Sequence, residues 1–219
     1  YIGKAGNLKR RVASYFQKSH EYRIQKLVSE IRKIDCRRTD TALEALILES
    51  QLIKKHQPLF NVRDKDDKSF LYVEITNDKF PRVILARGKS KPGGKRYGPF
   101  LSSANIREAL RILRKIFPYS NHPAFKLSAK RQAPSLPKSC FDYQIGLCPG
   151  TCIGIISRLE YLKNIRNLKL FFKGKKARII LALKKEMTRA SRTLEFEQAE
   201  KIKRQIFALQ HIRDTALIT

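Results

Sequence analysis

The sequence predicts an α+β protein. We expect a small mixed sheet with helices first, then a second region with a β-hairpin and a helix, then a C-terminal all-α helical hairpin. Three observations support this order: apolar residues recur at helical spacing in several segments, β-type runs flank a turn signal near residue 77, and the last sixty residues show helical stripes only. The expected domains are residues 1–64, 65–118, 119–155 and 156–219, with the terminal hairpin at about 182–215.

The composition restricts the class of protein. Hydrophobic residues make up 42% of the 219 residues, which excludes a wholly disordered chain. No run of about 18 apolar residues occurs, so no membrane span is predicted. The 47 Lys and Arg residues exceed the 19 Asp and Glu residues by 28, and this excess predicts a polyanionic partner. Nucleic acid is the first candidate and an anionic membrane surface the weaker one.

The first region combines a glycine turn with amphipathic helices. Asn7 is a plausible N-cap for a helix that runs to Phe16, and Asp40 or Thr41 is a plausible N-cap for a strong apolar helix that ends before Pro58. The remaining expected elements are a strand end at residues 1–6, a helix at residues 23–33 and a short strand near residues 34–37.

The second region changes to a period of two. Residues 70–76 and 82–86 read as the strands of a hairpin around Asn77 and Asp78. A flexible loop is expected at residues 91–95, and a helix that Ser102 or Ser103 caps and Pro118 ends. Several prolines make residues 119–139 a linker or long loop.

The last region is predicted to be entirely helical. Apolar stripes begin after Ser157, stop at Gly174, and resume in two further helices. A turn near Thr193 would fold these two helices into a hairpin.

Several side chains of the first region have the chemistry of phosphodiester cleavage. Such a site needs a divalent cation, a base for water and cations that stabilise the phosphate charge. Glu49 offers a hard oxygen ligand for Mg²⁺, Tyr1 a base, and Lys4 and Arg11 a phosphate clamp. Tyr15 lies one turn after Arg11 on the same helix face. Spacing alone favours ordinary exposed helix faces for these residues, so the catalytic interpretation depends on further evidence.

Three of the four cysteines crowd into thirteen positions. Cys140, Cys148 and Cys152 in a basic chain suggest a metal site more than disulfides. Cys36 stands alone, and we expect it to be a half-buried thiol.

These motifs together resemble a known family. Residues 1–16 resemble the second half of the GIY-YIG nuclease motif, in particular that of the UvrC family, the C subunit of the bacterial UvrABC excinuclease. Residues 194–202 resemble the UVR helical hairpin that binds the B subunit of that system. Further similar segments are residues 39–49, 52–58, 60–62, 66–70, 97–100 and 143–148.

The resemblance implies a metal-dependent endonuclease of nucleotide excision repair. It implies a cut in the damaged strand on the 3′ side of a lesion, with Mg²⁺ or Mn²⁺ as cofactor. Glu49 would bind the metal, and the implied catalytic residues are Tyr1 as general base, Lys4, Arg11, Tyr15 and Asn61. The implied partners are lesion-bearing double-stranded DNA and the B subunit, in the cytoplasm and with no membrane. The implied B-subunit contacts are Leu194, Phe196, Ala199, Ile202, Arg204 and Ile206.

The family also carries four ligands for an iron–sulfur cluster in the cysteine-rich region. Cys140, Cys148 and Cys152 match three of them, and His122 stands where the first is expected. The resemblance therefore implies a [4Fe–4S] cluster ahead of zinc, with reduced thiols in a loop as the alternative.

Two further functions stay open. The first strand of the nuclease, with the Gly-Ile-Tyr half of the motif, is expected ahead of Tyr1, and without it we expect weak activity or stability. The chain would then be a non-catalytic piece that binds DNA and the B subunit. A GIY-YIG endonuclease of another pathway is the third possibility, although the UVR-like hairpin and the cysteines argue against it.

Overall fold

The computed structural model describes residues 1–17, 21–61, 70–88, 93–124 and 139–212, and it confirms the α+β class. The helices of the first region are α1 (Leu8–Gln17), α2 (Tyr22–Glu30) and α3 (Ala42–His56), followed by a 3₁₀ turn at Leu59–Asn61. The second region holds β1 (Leu71–Ile75), β2 (Val83–Ala86), β3 (Lys95–Phe100) and α4 (Ser103–Ile116). The remaining helices are α5 (Phe141–Gln144), α6 (Arg158–Phe172), α7 (Lys176–Arg192) and α8 (Phe196–Gln210).

The three strands form one antiparallel sheet in the order β2-β1-β3, with Tyr72 opposite Ala86 and Leu71 opposite Phe100. The predicted hairpin is confirmed. The sheet differs from the expected one in being antiparallel throughout and in lying in the second region. The sequence did not predict β3, because Gly98 and Pro99 suggest a loop, yet an edge strand tolerates both residues.

The two strands expected in the first region, at residues 1–6 and 34–37, do not form among the described residues. The regular elements described in that region are helices. A strand needs a partner for its backbone groups. The Ile2 backbone bonds instead to the side chain of Asn61, and residues 34–37 are exposed. The predictions of strands at these two places were therefore wrong.

In the described ranges of the chain, side-chain N-caps form at four helices. Asn7 Oδ1 accepts the backbone N–H of Arg10 at 2.9 Å, and Thr41 Oγ1 accepts that of Glu44 at 3.1 Å, as the sequence predicts for both helices. Ser102, also predicted, and Ser157 cap α4 and α6 in the same way. Side-chain oxygens at these positions satisfy donors that would otherwise have no partner.

One hydrophobic core joins the regions. Helix α3 contributes Leu43, Leu46 and Ile47 to this core and packs against β3. The Gln51 side chain also donates to the carbonyl oxygen of Phe172 at 3.0 Å, and Lys176 pairs with Glu44 at 2.9 Å. Helix α3 is therefore fixed to both α6 and α7.

Helices α7 and α8 form the predicted hairpin. Gly174, with φ of 69°, lies between α6 and α7, and Leu194, with φ of 60°, lies in the turn next to Thr193. Among the described residues, no helix has the length and apolar content needed to span a membrane. Parts of the predicted 91–95 loop, the 119–139 linker and the 182–215 hairpin lie outside the described residues.

Candidate functional site: a tyrosine–arginine–glutamate cleft

A cleft of about 1200 Å³ opens between the N-terminal segment and helix α3. Tyr1 and Lys4 line one side, and Glu49 projects from α3. The cleft also contacts the extended segment that leads into α3, including Arg37 and Arg38. The cleft is thus lined by several cations and by three carboxylates, of which Glu49 is half-buried and Asp35 and Asp40 are exposed.

Two tyrosines and an arginine lie together beside this cleft. The rings of Tyr1 and Tyr15 meet edge to face, with their centroids 5.9 Å apart, and the Arg11 guanidinium lies 5.3 Å from the centre of the Tyr15 ring. A hydrogen bond to Tyr1 raises the pKa of Arg11. Burial, with a hydrogen bond to Tyr1, raises the pKa of Tyr15 to about 12. Tyr15 therefore keeps its proton at neutral pH.

Glu49 is half-buried and close enough to Lys4 and Arg11 for their charges to act on it. Burial raises its pKa, while the charge and backbone N–H of Lys4 and the charge of Arg11 oppose that rise. A single half-buried carboxylate at an open cleft suits Mg²⁺, which keeps several waters and takes few protein ligands.

Asn61 lies at the base of the N-terminal segment. Its side chain is 5% exposed, accepts the Ile2 N–H at 2.6 Å and donates to the Ile2 carbonyl at 2.5 Å. Asn61 therefore fixes the backbone next to Tyr1. Tyr1, Lys4 and Glu49 line the cleft along α3, Arg11 and Tyr15 lie beside it through Tyr1, and Asn61 holds the segment that carries Tyr1.

The structure adds residues that the sequence reasoning missed and corrects one expectation. Lys33, Arg37 and Arg38 line the cleft, although the sequence suggested a short strand there. The only sequence signal for these residues was a run of basic side chains, and such a run does not show which surface the side chains line. Cys36 is exposed in the same segment, so the prediction of a half-buried thiol was wrong.

A second cluster joins His122, Cys140, Cys148 and Cys152. Their ligand atoms all lie within 4.8 Å of one another, and the sulfurs of Cys140 and Cys152 are 3.4 Å apart. The Nε2 atom of His122 is buried without a hydrogen-bond partner among the described residues. Three thiols and an unsatisfied imidazole nitrogen at this spacing can bind a metal.

The pKa values of two thiols in this cluster shift in opposite directions. Burial raises the pKa of the Cys140 thiol to about 11. Burial also acts to raise the pKa of Cys148, but hydrogen bonds, first from the backbone N–H of Gly150 and then from Thr151, outweigh it and lower the pKa. Cys148 is the thiol best prepared to become a thiolate.

The expected partner-binding residues of the hairpin divide into two groups. Leu194, Phe196 and Arg204 are exposed. Ile202 and Ile206 are buried in the core, where they hold α8 in place. Phe196 and the half-buried Ala199 line a groove between α7 and α8.

Three protein-family models match consecutive parts of the chain. The UvrC-like GIY-YIG domain matches residues 1–62, and the UvrC/Cho excinuclease middle domain matches residues 70–171. The UvrB/uvrC motif matches residues 177–212, which contain the α7–α8 hairpin. The cleft thus lies in a GIY-YIG domain.

The chain belongs to the UvrC family. It is 41% identical over 222 residues to the UvrABC system protein C of Clostridium kluyveri, an alignment that covers 100% of the chain and 35% of the relative. The protein of the same name from Moorella thermoacetica is 37% identical, over 97% of the chain and 34% of the relative. The UvrABC system protein C of Hydrogenovibrio crunogenus is 38% identical, over 100% of the chain and 35% of the relative. The chain spans about a third of the length of these relatives, and no solved structure gives a significant match.

Proposed function

We propose that this chain is the part of a nucleotide excision repair endonuclease that cuts the damaged DNA strand on the 3′ side of a lesion. The observation that carries the proposal is the convergence of Tyr1, Lys4, Arg11 and Glu49 at one cleft. The family membership supplies the substrate class, lesion-bearing double-stranded DNA. The cytoplasm, where bacterial DNA lies, is the proposed compartment.

The proposed cofactor of the cleft is Mg²⁺ or Mn²⁺. Glu49 would hold it, since its carboxylate stands at the open cleft with room for metal-bound water. When bound, the ion supplies Lewis-acid stabilisation of phosphate oxygens.

Side chains of this chain would supply the proton transfer and the remaining charge stabilisation. Tyr1 would act as a phenolate, whose negative oxygen the hydrogen-bonded Arg11 would stabilise, and it would become a neutral phenol on accepting the proton of the attacking water. Lys4, beside Glu49, would hold the phosphate charge. Tyr15 keeps its proton because of its raised pKa, so it would donate a hydrogen bond and not act as base.

The proposed second cofactor is a [4Fe–4S] cluster at His122, Cys140, Cys148 and Cys152. The donor set and the unpaired Nε2 of His122 support a metal there. One observation favours a second candidate. The four ligands of a [4Fe–4S] cluster bind four different irons and therefore lie far apart. Ligand atoms that all lie within 4.8 Å of one another instead suit a single tetrahedral zinc, with Zn–S bonds of about 2.3 Å.

The α7–α8 hairpin is the proposed binding site for the B subunit. Phe196 is large, exposed and at the rim of the groove, which is the arrangement expected of an interface anchor. Leu194 in the adjoining turn and the exposed Arg204 extend the same proposal.

The cut position tests the proposed function. A duplex with one lesion and labels at both ends of the damaged strand is incubated with Mg²⁺, the A and B subunits and the chain, with and without the Gly-Ile-Tyr half of the motif placed ahead of Tyr1. We expect one nick 3′ of the lesion and its loss in Tyr1→Phe. A failure of both forms to cut, or an unchanged nick in Tyr1→Phe, would contradict the proposal.

A further inference from the structure

Three lysines share one surface of the middle region, away from the nuclease cleft. Lys95 begins β3, Lys169 lies in the last turn of α6, and Lys173 follows that helix. The rings of Tyr97 and Phe172 stack between β3 and α6, with centroids 5.1 Å apart. Tyr97 is two positions after Lys95 on the same strand face, and Phe172 is one helical turn after Lys169, so the lysines flank the stacked rings. Lys95, Lys169 and Lys173 are called the lysine surface.

The charges of the lysine surface are close enough to repel one another. Burial lowers the pKa of Lys169, and the charges of Lys95 and Lys173 lower it further. Like charges at this spacing cost stability unless an anion neutralises them.

No carboxylate performs that neutralisation in the part of the chain that the structure describes. Glu44 on α3 pairs with Lys176, and Glu74 on β1 pairs with Arg96. The ion pairs of the described residues do not involve any member of the lysine surface.

Tyr97 is a second sign of an incomplete contact. Its hydroxyl is buried and has no hydrogen-bond partner among the described residues. Burial raises the pKa of Tyr97, so the group remains a donor. Buried donors without a partner are rare in folded proteins, and this one belongs to the ring stack that the lysines flank.

We propose that the lysine surface binds the phosphate backbone of a DNA duplex, as a second contact outside the nuclease cleft. The proposal rests on the proposed function, which makes DNA the partner. Lysines on a strand and a helix are held on rigid elements, and phosphate contacts of this kind fix position without reading sequence. Gln51 of α3 donates to the Phe172 carbonyl at 3.0 Å, so DNA held here has a fixed position relative to the helix that carries Glu49.

The test compares two variants with the same loss of three charges. One is Lys95→Gln, Lys169→Gln and Lys173→Gln together. The matched control is Lys26→Gln, Lys184→Gln and Lys201→Gln, three exposed helical lysines elsewhere. Binding of a fluorescent undamaged duplex is measured without metal over a range of salt concentrations, and thermal unfolding shows that both variants are folded.

For the lysine surface variant we expect the negative slope of log affinity against log salt to become shallower by about 2 to 3, since each phosphate that is no longer neutralised reduces its magnitude by about 0.9. We expect its affinity at low salt to fall by about tenfold or more, and the control to keep nearly the original slope. Equal losses of DNA affinity and of salt dependence in the two variants would overturn the proposed DNA contact of the lysine surface and leave the proposed function untouched. If the unsubstituted chain does not bind DNA, both this proposal and the DNA contact in the proposed function fail.

Discussion

Asn61 and Ile2, 59 positions apart, are joined by two hydrogen bonds, in which the side-chain amide of Asn61 both accepts from and donates to the Ile2 backbone. This pairing takes the place of the strand contact that the sequence suggested. It fixes the segment that carries Tyr1 and Lys4 near the end of α3, and so the geometry of the cleft depends on it.

Asn61→Asp tests this relationship. At neutral pH the new carboxylate accepts from the Ile2 N–H but cannot donate to the Ile2 carbonyl, which we expect to cost about 1–3 kcal/mol of stability. Protonation restores the donor, so the pKa of the new group is raised in the folded state; the loss is complete above that raised pKa and disappears only below the ordinary Asp pKa of about 3.9. The measurement is denaturant unfolding at several pH values. Asn7→Asp is the control, because Asp is an equally good N-cap; an equal loss in both variants would contradict the role of Asn61.

Glu49→Gln is expected to make the chain more stable at pH 8. Burial raises the pKa of Glu49, so the folded state binds the proton more tightly than the unfolded state, and ionisation costs stability above the raised pKa. We therefore expect a higher Tm for Glu49→Gln than for the unsubstituted chain at pH 8. The gain should disappear well below the ordinary Glu pKa of about 4.3. Calorimetry at both pH values checks this, and a Tm that falls at pH 8 would be inconsistent with it.

Arg96→Met should destabilise the sheet strongly. Glu74 is 1% exposed and bonds to Arg96 Nε at 2.9 Å, so the substitution leaves a buried charge without its partner, at a cost of about 3–5 kcal/mol. Arg111→Met removes the partner of Glu108 in an exposed pair and should change the stability little, because solvent screens that pair. Urea unfolding measures both free energies. Similar costs would show that the Glu74 charge is compensated in another way.

Phe196→Ala should weaken binding of the B subunit and leave DNA binding unchanged. Phe207→Ala is a matched control, since both phenylalanines lie on α8 and both are 62% exposed, but only Phe196 lines the groove. We expect a loss of affinity of about 2 kcal/mol or more for Phe196→Ala, as for an interface anchor, and little change for the control. Titration calorimetry with the B subunit measures it, and equal effects would remove the groove from the interface.

Cys152→Ser should abolish metal binding by the cysteine cluster. The unsubstituted chain, purified without oxygen, is expected to contain iron and to absorb visible light. Cys36→Ser should keep the metal, because Cys36 lies at the nuclease cleft. Elemental analysis gives the metal per chain. Colourless protein with one zinc would eliminate the cluster in favour of a single ion, and metal-free protein would remove both candidates.

The sequence predicted the helices better than the strands. Caps such as Thr41 and Ser102 and stripes at helical spacing are local signals, so they locate α3 and α4 correctly. Strand formation depends on a partner elsewhere in the chain. For this reason the expected strand at residues 1–6 is absent from the described residues, and β3, interrupted by Gly98 and Pro99, was missed.

The candidate site could be predicted only through the resemblance. Spacing places Arg11 and Tyr15 on one face, but it does not bring Asn61 to Ile2 or Glu49 to Lys4. The unpaired Tyr97 hydroxyl and the burial of Ile202 and Ile206 likewise arise from tertiary packing. Such contacts join distant segments, and no local pattern encodes them.

The nicking rate of Glu49→Gln shows whether the cleft is the nuclease site. Mg²⁺-dependent nicking of a lesion-bearing duplex is measured with the A and B subunits, in whichever form of the chain cuts, with Glu30→Gln at the exposed end of α2 as control. We predict that Glu49→Gln lowers the rate by at least about 10²-fold, comparable to the loss of one essential electrostatic contact, and that Glu30→Gln leaves it unchanged. Full activity of Glu49→Gln would contradict the assignment of the cleft as the nuclease site.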